Sequence, residues 1–412
     1  MGIKQRNIQK NSKQTSTPKQ SNVVYSWSEV EKHNTGDNCW IVYKDGVYDV
    51  TEFVPKHPGG KFTLSTAAGQ DITYLMQTSH IMNDYPFDIL EKYKIGTIEH
   101  NFVTYTEEQP FYDEIKEKIK NYFKKTKLDP KDGTFTFYVF FGILFFYLLG
   151  FYLFFVHASY MGAILIGLTR SLFGIHTMHA CSHFSVTHNP YVWKYVNWFI
   201  FDVLMGSSHW AWDYQHIIGH HQHTNVFHAD PDLPIKKKGD MRYIVNEQHY
   251  LNYYQYQHIY LPILYIFLGI KVHLYDMWYL FGLIKNGNIT MNTSIEKYFS
   301  LFLIKIFFYY YNFYVPIVYF NIPIWTFMKL FLIMEMVNGA YLAYTFQVNH
   351  ISTNVLYTDG SNNKSTTVKE WAAIQVEGSV DYGHNSMLHI LATGTLNYQI
   401  IHHLFPSIAP HH

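Results

Sequence analysis

Cysteine is almost absent from this 412-residue chain, with Cys39 and Cys181 alone and in separate regions. No disulfide framework can be built from them, and the pair fits a reducing, cytosol-facing protein. Charge is scarce too: Asp, Glu, Lys and Arg make up 15% of residues, and 31 basic side chains cancel 31 acidic ones to a net +0. That balance removes bulk electrostatic attraction to nucleic acid. Residues 1–22 are Lys, Gln, Asn, Ser and Thr with almost no apolar side chain, so they cannot bury a core and are expected to be disordered. They contain no apolar h-region, which leaves no cleaved signal peptide in view and passes membrane entry to a later segment.

What is abundant is histidine, with 25 residues, beside 19% aromatics. The densest stretch is Gln215-His216-Ile-Ile-Gly-His220-His221-Gln-His-Thr-Asn225. In a helix His216 and His220 would share a face one turn apart, with His221 beside them. His179-Ala-Cys-Ser-His183 repeats the i, i+4 spacing upstream, and Gln399-Ile-Ile-His402-His403 adds an amide and two imidazoles near the C-terminus. A single histidine near a membrane surface is more often interfacial or packed than a ligand. Three spaced sets, each beside a long apolar run, argue otherwise. Seven histidines and an amide exceed what one tetrahedral metal needs, which favours two metals and redox-active iron over zinc.

From Val23 to Glu99 the pattern is that of a small α+β unit. A helix is expected at Tyr25 to Val30, capped by Ser26 or Ser28, then strands at Cys39 to Tyr43 and Val47 to Val50 around a turn at Asp45-Gly46. His57-Pro58-Gly59-Gly60 sets a tight turn that fixes His57 while the backbone approaches a flat ligand. His80 follows a helical stretch at Asp71 to Gln77. With Tyr48-Asp-Val-Thr51 before the turn and Ala68-Gly-Gln-Asp71 after it, this unit resembles cytochrome b5. The resemblance implies haem b held between His57 and His80, and one-electron transfer without oxygen binding because both axial positions are filled. His33 and His100 match nothing in the motif and read as surface residues.

Residues 101–134 carry acids before bases, with Phe111, Ile115, Ile119 and Tyr122 as a partial apolar stripe. An interfacial helix with its lysines at the cytoplasmic leaflet and a plain solvated linker both fit. Phe135 to Val156 has no charge over 22 residues and can cross a bilayer. Ser159 to Ile175 returns, interrupted by Arg170. Trp193 to Met205 reads as a helix lying in the interface, and His258 to Leu283 as a span, a re-entrant segment or an interfacial one. Phe299 to Phe320 and Ile322 to Tyr344 form a second hairpin. Lys305, Lys329 and Glu335 there should snorkel or face the interior, because a charge at the bilayer centre costs about 2.5–3.5 kcal/mol. Glu335 and Asn338 would line a cavity or make structural pairs. The basic residues before the first span, and those at Lys236, Lys237, Lys238 and Arg242, place the loops and all three histidine sets in the cytosol. Asn288-Ile-Thr290 and Asn292-Thr-Ser294 would then stay unglycosylated.

Read together, His179-Ala-Cys-Ser-His183-Phe-Ser-Val-Thr-His188, the stretch Gln215 to Asn225, Ala229-Asp-Pro-Asp232 and Leu396-Asn-Tyr-Gln399-Ile-Ile-His402-His403-Leu-Phe-Pro406 resemble membrane fatty acid desaturases. Gln399 in place of a histidine, together with the cytochrome b5 unit, is similar to the front-end subgroup, and the flanking residues are nearest to Δ5 desaturases. The resemblance implies two non-haem irons that use O2 and two electrons to insert a cis double bond. It implies ligands at His179, His183, His216, His220, His221, His402 and His403, with Gln399 as a weaker ligand or a donor behind the ligands. His350, with Asn349, is a further candidate and His384 a lesser one. His188, His209, His223 and His228 are expected outside the ligand sets. It also implies a fatty acyl substrate on CoA or phospholipid, NADH-cytochrome b5 reductase as electron source, and the endoplasmic reticulum membrane. Family members usually continue past the third set, whereas this sequence stops six residues after Pro406.

The expected organisation is a polar tail (1–22), an α+β haem domain (23–100), a basic amphipathic linker (101–134) and an all-α membrane domain (135–412) with four spans and a cytosolic di-iron cap. Alternatives are a Δ6 or sphingolipid Δ8 desaturase, a cytochrome b5-fused lipid hydroxylase, or a membrane-anchored haem electron carrier with an inactive desaturase half.

Overall fold

The strand β3 (Asn38–Tyr43) alternates strictly and has both faces covered. Cys39 and Ile41 pack with Tyr48, Val50, Ala67 and Met76, while Val42 packs with Trp27, Val30, Val47 and Ile98 on the other side. In a computed structural model that describes residues 23–101, 103, 105–233, 240–246, 248–280, 285–286, 289–291, 294–359 and 369–412, this strand anchors the first unit. β3 pairs antiparallel with β4 (Gly46–Asp49) in the register Tyr43↔Gly46 to Trp40↔Asp49, so the turn is Lys44-Asp45, one residue before the expected Asp45-Gly46. With β1 (Val24–Tyr25), β2 (Asn34–Thr35) and β5 (Lys94–Ile98) the sheet order is β1-β5-β4-β3-β2.

Three local expectations shift. Ser26 precedes α1 (Trp27–Val30), but its hydroxyl pairs with that of Ser28 at 2.8 Å and caps no amide. After α2 (Lys61–Ala67), α3 (Thr73–Ser79) begins two residues later than expected, because the Asp71 carboxylate accepts from the Thr73 amide and hydroxyl at 2.9 and 2.6 Å and forms a turn there. His33 is not a plain surface residue: its ring stacks on Trp40 at 3.6 Å and it is half-buried. The polar stretch 1–22, Lys236, Lys237, Lys238, Asn288 and Asn292, on which expectations rested, lie outside the described residues.

The linker forms a helix, Pro110–Thr126, whose inward stripe keeps the expected Ile115 and Ile119 but has Tyr112 and Phe123 in place of Phe111 and Tyr122. Tyr112, Ile115, Ile119 and Phe123 face inward, while Phe111 and Tyr122 are exposed. Spacings of three and four put the inward set on one face. That face lies on protein, with Tyr112 against Trp371 and Phe405, and Lys120 is engaged by Asp84 and Glu117 at 3.1 Å. The helix therefore ties the first unit to the chain's last segment.

Among the described residues four helices are long and apolar enough to cross a membrane: Thr134–His157, Tyr160–Ser182, Ile295–Tyr319 and Ile324–His350. The first hairpin turns at Ala158, which takes a left-handed φ of 46° as the Ala158 and Ser159 amides close the helix end. The second and fourth spans run further than the hydropathy pattern indicated, ending at Ser182 and His350. His350 is thus the last residue of a span and not the start of a loop. Asn252–Ile266 and Leu268–Trp278 form a pair bent by 72°, a broken or re-entrant element over the stretch where the sequence was ambiguous. In the helix after the first histidine set, Trp193 and Ile200 are buried while Tyr191, Tyr195 and Trp198 are exposed, as an interfacial helix requires.

Charges inside the bundle are paired. Arg170, which interrupts the second span, donates to Glu335 at 3.2 Å, Tyr311 at 2.7 Å and Asn312 at 2.9 Å, and both Arg170 and Glu335 are 1% exposed. Lys305 meets Asp276 at 2.7 Å, and Lys329 is exposed on its helix. Arg170→Met should cost about 3–5 kcal/mol, since it strands a buried carboxylate, while Arg170→Met combined with Glu335→Leu should recover most of that loss. Thermal unfolding in detergent, followed by tryptophan fluorescence, checks both variants.

Candidate metal centres

In the first unit, His57 and His80 face one another with ring centroids 6.4 Å apart, inclined at 73°. That gap admits a metal bonded to both rings at about 2 Å. The His57 Nδ1–H points at the Gly60 carbonyl at 3.3 Å, and His80 Nδ1–H donates to Met76 at 3.0 Å, so both Nε2 atoms are left for a ligand. Burial pushes His57 down to about 4 and lowers His80 as well, keeping both rings neutral. Gly60 holds φ +88°, and a Cβ on Gly59 would sit 2.8 Å from the His57 ring. The turn therefore needs glycine at both positions.

The three histidine sets meet, though in a different partition from the one their spacing implied. Ligand nitrogens of His179, His183, His216, His221 and His402 all lie within 4.8 Å of one another, and those of His220, His350 and His403 form a second group. His216 and His220 do share a face, their rings stacked at 5.6 Å. Asp213–His220 is wound as a π-helix, and the wider turn also brings His216 to His221, with Nε2 atoms 3.2 Å apart. His220 is turned to His350, at 3.3 Å. A second π-turn, Gly174–Met178, delivers His179 to within 2.9 Å of His216. Consecutive residues thus serve different groups, His221 and His402 in one, His220 and His403 in the other. The groups are neighbours, with His221 stacked on His403 at 4.2 Å.

Gln399 reaches the second group: its terminal nitrogen lies 2.9 Å from His350 Nε2 while its oxygen accepts from Asn349 at 2.9 Å. Rotating both amides by 180° keeps the bond between them and turns the Gln399 oxygen to the same point, so either a donor or a weak ligand fits. The Asn349 oxygen is buried and has no partner among the described residues, which leaves an acceptor beside the group. His384 is not brought in; it is exposed, stacked on Tyr398. His188 bonds Asp129 at the surface, His209 is held by Asp202, His223 meets Tyr105, and His228 packs on Phe227.

Sequence reasoning missed the residues that aim these rings. His220 Nδ1–H donates to Asp230 at 3.0 Å, His350 Nδ1–H to the Gly378 carbonyl at 3.0 Å, and His403 Nδ1 sits 2.9 Å from Thr224 and 3.0 Å from Gln375. Asp230 was legible as a carboxylate ten residues beyond His220, inside a stretch already singled out. Gln375 and Gly378 left no signal. Burial and neighbouring imidazoles push His216, His221, His402 and His403 well below the usual histidine range, which keeps their lone pairs available. Burial acts on His220 in the same direction, but Asp230 and Asp232 outweigh it and carry the ring up to about 9. Buried imidazoles converging on two points, with the three rings of the second group held from behind and the His220 proton free to leave when a metal binds, fit two borderline metals such as iron.

A cavity of about 240 Å³ opens onto both groups, reaching His179, His216, His220 and His350. Its wall beyond them includes Met178, Phe201, Met205, Leu268 and Leu342. The same cavity also carries Asp232, Arg242, Lys271 and Asp276, so it offers apolar wall for a hydrocarbon chain beside charged groups suited to a polar end.

Residues 26–99 match the family described as cytochrome b5-like heme/steroid binding domain, and residues 156–412 the family described as fatty acid desaturase. The chain is 36% identical over 405 residues to a probable Delta(5) fatty acid desaturase C of Dictyostelium discoideum, covering 94% of this chain and 86% of that protein. It is 37% identical over 400 residues to Delta(5) fatty acid desaturase A of the same organism, covering 93% and 84%. It is 35% identical over 401 residues to an acyl-lipid (8-3)-desaturase of Mortierella alpina, covering 94% and 88%.

Two outcomes are expected from this geometry. His57→Ala should abolish the haem absorption spectrum while leaving the other iron in place, as metal analysis of the purified protein will show. Asp230→Asn should weaken iron retention by about 10–100-fold in a graded chelator titration, because it releases the ring of His220 without removing it.

Proposed function

This chain belongs to the fatty acid desaturase family, with a cytochrome b5-like domain ahead of the desaturase domain, and from that premise we propose that it is a front-end Δ5 desaturase. It is a membrane oxidoreductase acting on fatty acyl chains, with haem and a di-iron centre as cofactors. The observation that carries the proposal is the pair of adjoining imidazole groups that line a cavity with a partly apolar wall.

In this reading His179, His183, His216, His221 and His402 hold one iron and His220, His350 and His403 the other, with Gln399 as weak ligand or donor. The irons supply the O2 chemistry that breaks unactivated C–H bonds, which side chains alone cannot do. The chain's own part is positional. Asp230, Thr224, Gln375 and the Gly378 carbonyl hold the imidazoles from behind, and the cavity wall straightens the acyl chain and excludes water. His57 and His80 hold the haem, whose single electrons reach the centre from within the same chain. The complete histidine set favours an active desaturase over an electron carrier with an inactive half.

The names of the Dictyostelium relatives support Δ5, and that of the Mortierella relative supports an acyl chain still attached to a lipid over one on CoA. NADH-cytochrome b5 reductase is the proposed electron source. The proposed site is the endoplasmic reticulum, with histidine sets and haem domain in the cytosol, in line with lysines ahead of the first span. The proposed domain limits are 23–100, 101–134 and 135–412.

Yeast expressing the chain and fed C18–C20 polyunsaturated acids should accumulate a product with a new double bond at carbon 5, located by mass spectrometry after derivatisation. A bond at carbon 6 or 8 would overturn the Δ5 assignment and keep the class. An altered long-chain base or a hydroxylated chain would move the protein to the sphingolipid or hydroxylase branch.

A further inference from the structure

Gln222 lies between two histidines of the second set, yet its side chain faces away from both metal groups, toward the haem domain. It is 2% exposed, and its amide is fully used. The oxygen accepts from the Tyr74 and Leu75 amides at 3.3 and 3.4 Å, and the nitrogen donates to the Asp71 carbonyl at 2.7 Å and to Ile218 at 2.9 Å. Two acceptor and two donor positions are all a glutamine has. Tyr74 and Leu75 are first-turn residues of α3, whose N–H groups have no partner inside the helix. A desaturase-domain side chain therefore closes the start of the helix that leads to His80.

Other contacts reinforce this junction. Tyr74 stacks on Trp371 at 4.6 Å and 8°, and the Trp371 and Tyr105 donors both reach the Gln222 carbonyl, at 3.1 and 3.0 Å. At the far end of α3 the Ser407 hydroxyl donates to Thr78 at 2.5 Å. The crevice between Thr78 and Ser79 on one side and His183, His221 and His403 on the other holds about 10 Å³. That is too little for a layer of water.

We propose that Gln222 is a positioning residue that fixes the haem domain on the five-histidine group, so that electrons cross from a docked pose and not from encounters of a tethered domain. This rests on the desaturase reading above. Each turnover converts –CH2–CH2– and O2, with two electrons and two protons, into –CH=CH– and two waters. The haem therefore passes from ferrous to ferric twice, and the NADH-dependent reductase restores it each time.

The test uses the full-length, haem- and iron-loaded protein and its Gln222→Leu variant. Haem spectrum and iron content should match the parent, and the Tyr74 and Leu75 amides should exchange hydrogen faster. Reoxidation of ferrous haem by O2 with substrate should slow by about tenfold or more, as docking gives way to tethering. Product from a single turnover of enzyme chemically reduced beforehand at both centres should be unchanged. Parental reoxidation and exchange rates in the variant would overturn the proposal. If the parent's haem is not reoxidised in a substrate-dependent way, the desaturase reading fails instead. Should Gln222→Leu lose iron, Tyr74→Ala, altered on the haem-domain side, replaces it with the same readouts and the same overturning result.

Discussion

Eight imidazoles packed with their lone pairs toward one another set the terms for everything around them. A metal can be held only when those nitrogens present lone pairs to it, which the rings do when the other nitrogen carries the proton and is bonded from the back. For His220, His350 and His403 that role falls to Asp230, the Gly378 carbonyl, and Thr224 with Gln375, from segments distant in sequence. The spans carry His179 and His350 to the cluster on rigid rods, and the paired charges within the bundle hold those rods in register. Arg170 joins the second span to the third and fourth through Tyr311, Asn312 and Glu335.

How much of this could be read beforehand depended on how local the cause was. In the haem unit the two central strands and the turn were legible, since the strands alternate with period two and the turn is written in Pro58, Gly59 and Gly60, while β1, β2, β5 and α2 were too short or too mixed in pattern to be read. The spans were legible as apolar runs, but their ends were not: hydropathy falls at Tyr344 while the helix continues to His350, held by packing that a window average does not see. How the histidines divide into two groups was not legible, because sequence spacing names a shared face and not the point a ring nitrogen reaches, and Asp213–His220 is a π-helix. Nothing in that segment's composition announces the wider turn. Asp230 sat in view without a role, as a carboxylate's task depends on which ring lies within reach.

The linker helix shows the same limit from another side. Its amphipathic pattern was correct in kind, yet a pattern names a face without naming what covers it. Trp371 and Phe405 cover it, from the end of the chain, and the helix thereby brings the first unit and the last segment together beside the metal groups. Haem domain, linker and third histidine set form one packed assembly, with Gln222, Trp371 and Ser407 at the seam.

The sharing of consecutive residues between the two groups has a consequence for assembly. His220 and His221, and again His402 and His403, are divided between the two metal positions, so one peptide unit on each side sets the spacing of the pair. Whichever ion arrives first immobilises both of those peptide units, and with them two rings of the neighbouring group: His221 and His402 of its five, or His220 and His403 of its three. Loading is therefore cooperative by construction. The chain behaves as a gauge block for two ions, and a protein carrying one ion should be scarcer than the affinities of two independent positions would give.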